Sequence, residues 1–184
     1  MGCKLTESII LGIDPGSQVT GFCVMVQKST SVRDIRIISA GVIRPKSSLS
    51  HSERLGQIHQ SVFEIAQEYQ PQECAIEKGF TSINHKTALR LGETRGAIIA
   101  AIRRLETPIV ELTPTEVKKH VTGNGHAAKE DVARTLFAIL GFDRGSLPFD
   151  VTDAVAIAYC FSLLRNLHAK ISIHQNLKST YHYR

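Results

Sequence analysis

Four acidic residues sit where a carboxylate is hard to place. Asp14 closes the apolar run "IILGI" and Glu77 closes "CAI". Asp150 and Asp153 stand three residues apart, just ahead of the apolar segment "AVAIA". An ionised carboxylate at the end of a buried strand is unfavourable unless something pairs with it. Each acid also has a plain reading. Asp14 precedes Pro15-Gly16 and suits a tight turn, and Glu77 reads as a surface charge at a strand end. Asp150 and Asp153 fit an N-cap and a first-turn acid on a helix. Gathered at one place, however, the four would repel and disturb one another's ionisation unless cations compensated. Carboxylate oxygens suit the hard ions Mg²⁺ or Mn²⁺. Two such ions about 3.5–4 Å apart activate water and stabilise the leaving oxygen of a phosphodiester.

A second set of residues carries the opposite charge. Lys118 and Lys119 precede the glycine-rich stretch "GNGHAA", and Lys129 follows it. Glycines allow a backbone to approach phosphate closely, and a helix N-terminus favours anions. A lysine there can hold a DNA phosphate or offset transition-state charge, although a solvated helix face explains the same residues. Phe80 lies in "KGFTSINHK", a stretch too polar for a core. An aromatic so placed either stacks on an unpaired base, worth about 1–3 kcal/mol, or folds back on its own domain. The eight histidines show no ligand spacing. His126, in the glycine-rich stretch, reads as a surface residue within reach of nucleic acid.

The elements that must position these groups follow from periodicity. Strands are expected over 9–14, 19–27 and 35–43, joined by short turns into an antiparallel meander. A helix over "SHSERLGQIHQSVFEIAQEYQP" is capped by Ser50 or Ser52 and stopped by Pro71. "ECAIE" and "PIVEL" are short strands separated by the long helix "KTALRLGETRGAIIAAIRRLE". Thr113-Pro114 begins a short helix, residues 128–140 form another, and a last helix spans about 150–167. The result is an α/β fold with a mixed five-stranded sheet, three antiparallel strands and then parallel ones, flanked by helices. If the first and fourth strands are parallel neighbours, Asp14 and Glu77 emerge at one edge, where open α/β sheets place their sites. In the long helix Leu91, Ile98, Ile102 and Leu105 form a stripe, and Gly92 and Gly96 lie four apart. That pattern suits packing on the sheet and also close approach of a second copy.

Composition sets the frame. The 184 residues are expected to form one domain over 1–168 with a polar, flexible tail over 169–184. No apolar run approaches the ~20 residues that span a bilayer. The cysteines are scattered, with no C-x-x-C pair. Three of them lie in apolar contexts, which points to a reducing, cytoplasmic setting and no thiolate metal site. Net charge is +5, from 22 basic and 17 acidic residues. With four acids held around metal, 22 basic residues face 13 acidic ones on the remaining surface, which favours a polyanionic partner.

Four segments together resemble a known family. "GIDPGSQVTGF", "AIEKGF" followed by "ALRLGETRGA", "PTEVKKHVTGNGHAAKEDV" and "DVTDAVAIA" occur in the order and spacing of the RuvC-type crossover junction endodeoxyribonucleases. These are bacterial Holliday junction resolvases with an RNase H-like fold, and the resemblance covers about residues 9–165. It implies a homodimer that binds four-way DNA junctions in recombination and repair. It also implies Mg²⁺-dependent, symmetric nicking of two strands of like polarity, leaving 5′-phosphate and 3′-hydroxyl ends. The family's catalytic, metal-holding acids fall on Asp14, Glu77, Asp150 and Asp153; some members carry His at the position of Asp150. Its functional lysines fall on Lys118 and Lys129, and its junction-centre aromatic on Phe80. Branch-migration proteins of the RuvA and RuvB type are the partners it implies.

Three other readings compete. An actin or sugar-kinase type phosphotransferase shares the core and an Asp-x-Gly turn, but it needs a second such domain, for which this chain is too short. A related nuclease acting on RNA or other branched substrates is compatible with the four acids. A binding module with structural acids fits poorly with all four positions being filled.

Overall fold

The computed structural model describes residues 7–29, 31, 34–79, 85–141 and 147–180, with side chains described as far as 167. The sheet is built from β1 (Ser8–Asp14), β2 (Thr20–Gln27), β3 (Ile35–Ile43), β4 (Glu73–Glu77) and β5 (Ile109–Leu112). Five helices accompany it: α1 (His51–Tyr69), α2 (His85–Arg103), α3 (Pro114–Thr122), α4 (Lys129–Leu140) and α5 (Phe149–Thr180). The strand order is β3-β2-β1-β4-β5. β1 and β3 both pair with β2 antiparallel, whereas β4 pairs with β1 and β5 in parallel. The mixed sheet expected from the sequence is therefore present. β1 and β4 are the parallel neighbours that bring two acids to one edge.

Strand alternation divides the core between the two faces. Leu11, Ile13, Val24 and Ile76 pack against Ile58 and Val62 of α1 and Ile98 and Ile102 of α2. Ile10, Cys23, Met25 and Ala75 pack on the other face against α3, α4 and α5. α5 is buried almost all round from Val151 to Ser162, as its unbroken apolar sequence requires. Of the α2 stripe, Ile98 and Ile102 are buried in the sheet core, and Leu105 lies beyond the helix end. Cys23, Cys74 and Cys160 are buried free thiols, as their apolar contexts imply.

Local signals account for the helix ends. Ser50 caps α1 in a reciprocal capping box with Glu53, and Gln70 adopts a left-handed conformation just before Pro71. Thr113 and Glu116 repeat the box at α3, with Pro114 at its first turn. One boundary departs from expectation: α5 continues to Thr180 instead of ending near 167. No glycine or proline follows Pro148, so nothing in the sequence breaks the helix when its residues turn polar.

Candidate active site

β1 and β4 set the first two acids. Their parallel register pairs Gly12 with Ala75 and Ile13 with Ile76, so Asp14 and Glu77 are the next pair along. Two residues on from Gly12 and Ala75, they project on the sheet face that α5 covers. α5 brings Asp150 and Asp153 from above. It sits unusually deep because two glycines lie beneath it. A Cβ on Gly12 would stand 2.6 Å from the Ala154 carbonyl oxygen, and one on Gly21 only 2.0 Å from that of Asp150. Gly21 is the residue paired with Asp14 across β1 and β2.

These elements enclose a cavity of about 240 Å³ lined by Asp14, Glu77, Asp153, Lys118 and Lys129, with an apolar wall that includes Val117 and Ile157. Asp150 lies at the entrance of α5 outside the lining, yet its charge acts on Asp14. Burial, reinforced by Glu77 and Asp153, pushes the Asp14 carboxyl up from 3.8 to about 7, against the pull of Lys129. Burial and Asp153 raise Glu77 as well, with Lys129 and Lys118 opposing. Lys129, the first residue of α4, donates from Nζ to Asp153 Oδ2 at 2.7 Å. That hydrogen bond, with the charges of Asp14 and Glu77 behind it, holds the ammonium above its ordinary value despite partial burial.

The donor set fits a hard divalent cation. Carboxylate oxygens converge on one cavity, and burial together with the neighbouring carboxylates pushes two of the acids toward their neutral forms, which a bound cation would reverse. Among the described residues no three acid, His or Cys side chains form a ready-made cage. That agrees with their mutual repulsion and with the engagement of Asp153 by Lys129.

Of the other residues singled out in the sequence, Lys118 is half-buried in the cavity lining, whereas Lys119 is exposed on α3 and outside that lining. His126 is exposed in the loop between α3 and α4, where its backbone N–H donates to Asn124 Oδ1. Phe80 lies outside the described residues.

Two supporting arginines escaped the sequence reading. Arg95 donates from Nε to the Glu77 carbonyl oxygen at 3.1 Å and pairs with Glu111 at 2.7 Å, tying the ends of β4 and β5 to α2. Arg54 donates to the Ser17 carbonyl oxygen at 2.6 Å and fixes the turn that follows Asp14. Arg95 stands within the quoted "ALRLGETRGA", but nothing local to that stretch reveals that its target is the backbone of Glu77.

A five-stranded mixed sheet of this order, with acids at the adjoining ends of β1 and β4 and on the helix crossing them, is that of the RNase H-like class. The sequence profile described as "Crossover junction endodeoxyribonuclease RuvC" matches residues 10–161. The chain belongs to this RuvC family. A relative of that description from Chlorobaculum parvum is 40% identical over 152 residues, covering 83% of this chain and 80% of its own. Another, from Thermosipho melanesiensis, is 37% identical and covers 84% of this chain and 96% of its own. T. thermophilus RuvC, solved in complex with a Holliday junction substrate, superposes with a TM-score of 0.79 at 30% identity, covering 88% of this chain and 96% of that one. The yeast mitochondrial Holliday junction resolvase Ydc2 shares the fold at 13% identity, with a TM-score of 0.67 over 95% of this chain and 86% of its own.

Proposed function

We propose that this chain is a Holliday junction resolvase of the cytoplasm. It binds four-way DNA junctions as a homodimer and nicks two strands of like polarity, leaving 5′-phosphate and 3′-hydroxyl ends. The observation that carries the reading is the convergence of Asp14, Glu77 and Asp153 with Lys118 and Lys129 on one cavity, in a chain whose relatives are named crossover junction endodeoxyribonucleases. Asp14, Glu77, Asp150 and Asp153 would hold divalent metal, two Mg²⁺ per site with Mn²⁺ as a substitute. Bound there, the ions supply Lewis-acid charge for water attack and leaving-oxygen stabilisation.

The chain's own groups do the rest. The rigid end of β1 fixes Asp14, and Arg95 fixes the backbone of Glu77. The apolar wall of Val117 and Ile157 limits water, which strengthens each charge in the cavity. Lys129 and Lys118 bring positive charge to the scissile phosphate, Lys119 contacts DNA further out, and Phe80 disturbs base pairing at the crossover. The nuclease domain spans 1–168, and branch-migration proteins of the RuvA and RuvB type act alongside it. The test is cleavage of a synthetic four-way junction against a linear duplex of the same sequence, with Mg²⁺, Mn²⁺ or EDTA. Paired nicks in the junction alone, abolished by EDTA, are expected. Equal cutting of the duplex would overturn the substrate.

Lys129→Met removes the charge that favours the ionisation of Asp14 and Glu77. Those carboxyls then hold their protons to higher pH, so the acid limb of the cleavage profile moves up. The plateau rate falls by about 10²-fold, the scale set by removing one stabilising group from a transition state. An unmoved acid limb would separate Lys129 from the ionisation of these acids.

The dimer surface is assigned to the outer face of α2. Leu89 is 64% exposed there, and a Cβ added at Gly92 or Gly96 meets nothing within 4 Å. Small residues beside an exposed leucine leave room for a partner helix. Leu89→Glu is expected to weaken dimerisation at least about tenfold by forcing a charge into that contact. Sedimentation across a concentration series reads this directly, and an unchanged association constant would move the interface elsewhere.

A further inference from the structure

A second cationic cleft lies outside the catalytic cavity. It measures about 540 Å³ and is lined by Arg44, Lys46 and Arg54, with Gln18 and Ser47 as polar neighbours and no acid. Among the described residues, none of the three cations is in an ion pair. Arg54 spends one nitrogen on the Ser17 carbonyl, while its buried Nε has no hydrogen-bond partner. The nearest acid along the chain, Glu53, is occupied by the capping box with Ser50. Three uncompensated cations around a concave space, with one buried donor unspent, make a receptor for an anion.

Its place in the fold identifies the anion. Arg44 directly follows Ile43, the last residue of β3, which pairs with Thr20 at the start of β2. β3 runs parallel to β1, because both are antiparallel to β2. The cleft therefore opens at the same end of the sheet as Asp14, two strands or about 10 Å away along the sheet, with Glu77 one strand further. Lys118 and Lys129 flank the acids from the opposite side, on α3 and α4. At about 3.4 Å per nucleotide along a strand, 10 Å corresponds to about three nucleotides. We propose that Arg44, Lys46 and Arg54 form a phosphate-docking site for the DNA strand in the active site, about three nucleotides from the scissile bond. This rests on the DNA-cleaving function above. The Arg54–Ser17 bond adds a consequence: a phosphate held in the cleft also braces the turn that carries Asp14.

Arg44 and Lys46 are exposed, so Arg44→Gln with Lys46→Gln removes the charges without disturbing the core. The full chain and this double variant are compared for binding to a labelled four-way junction and to plain duplex, in EDTA, over a range of salt. Binding by the variant is expected to weaken about tenfold, and its log–log salt slope to become shallower by about 2, one for each phosphate-facing cation lost. Affinity and salt slope unchanged on both DNAs would overturn the cleft. Wild-type protein that cuts no junction would instead overturn the substrate assigned above, and the slope on duplex would still decide the cleft.

Discussion

Asp14→Asn should abolish cleavage while making the metal-free protein more stable. Loss of this carboxylate removes one of the groups proposed to hold metal, and the cleavage rate at saturating DNA is expected to fall at least about 10²-fold with junction binding retained. The stability gain follows from the ionisation of Asp14. Its carboxyl takes up its proton at about 7 in the folded protein against 3.8 in a free chain. The folded state therefore holds the proton more tightly. Stability is lost as pH rises from 3.8 toward 7, and the full penalty stands above that. The displacement corresponds to roughly 4 kcal/mol. A buried asparagine amide without full partners returns about 1–3 kcal/mol of that. A net gain of about 1–3 kcal/mol at pH 8 in EDTA remains, seen at roughly 2–4 °C of Tm per kcal/mol for a chain of this size. At pH 5 the difference should shrink, because wild-type Asp14 is then mostly protonated. Added Mg²⁺ should raise the wild-type Tm more than the variant's. Wild-type cleavage by the variant would remove Asp14 from the site, and equal Tm values at pH 8 would show that the acids are not under strain.

Much of this site is legible in the sequence because its residues sit at the ends of strongly patterned elements. The apolar strands before Asp14 and Glu77 and the apolar helix after Asp153 declare themselves by composition, and caps at Ser50 and Thr113 mark where two helices begin. Connections carrying the chain from β1 to β4 leave few topologies, so parallel adjacency of those strands is the natural expectation. What stays hidden depends on partners distant in sequence. Arg54 acts on Ser17 and Arg95 on the backbone of Glu77, contacts that no local periodicity encodes. Likewise "GVIRPKS" reads as a strand end and a loop. Only folding brings Arg44 and Lys46 to Arg54. The extent of α5 was hidden for another reason: the apolar pattern fades after 167, and a faded pattern is not the end of a helix.

Gly12 and Gly21 are the clearest example of hidden information, and they carry the second large prediction. In the sequence Gly12 merely interrupts an apolar strand. In the fold its missing side chain, with that of Gly21, is what lets α5 descend onto β1 and β2. A methyl at Gly21 would lie 2.0 Å from the Asp150 carbonyl oxygen and 2.7 Å from its carbonyl carbon, so the backbone of α5 has to move. Gly21→Ala should therefore destabilise the protein by about 1–3 kcal/mol through overpacking. It should also lower cleavage independently of stability. The displaced segment carries Asp150 and, one turn on, Asp153, and a misplacement of about 1 Å can reduce a rate about 10²-fold. Rates taken well below the variant's Tm isolate that geometric effect. Gly56→Ala is the matched control: it lies within α1 with nothing within 4 Å of the added carbon, so it should be neutral or slightly stabilising. If Gly21→Ala matched this control in both Tm and rate, the depth of α5 would not set the geometry of the acids. If only Gly21→Ala loses activity at a temperature where both variants are folded, then the residue paired with Asp14 positions the carboxylates opposite it by having no side chain at all.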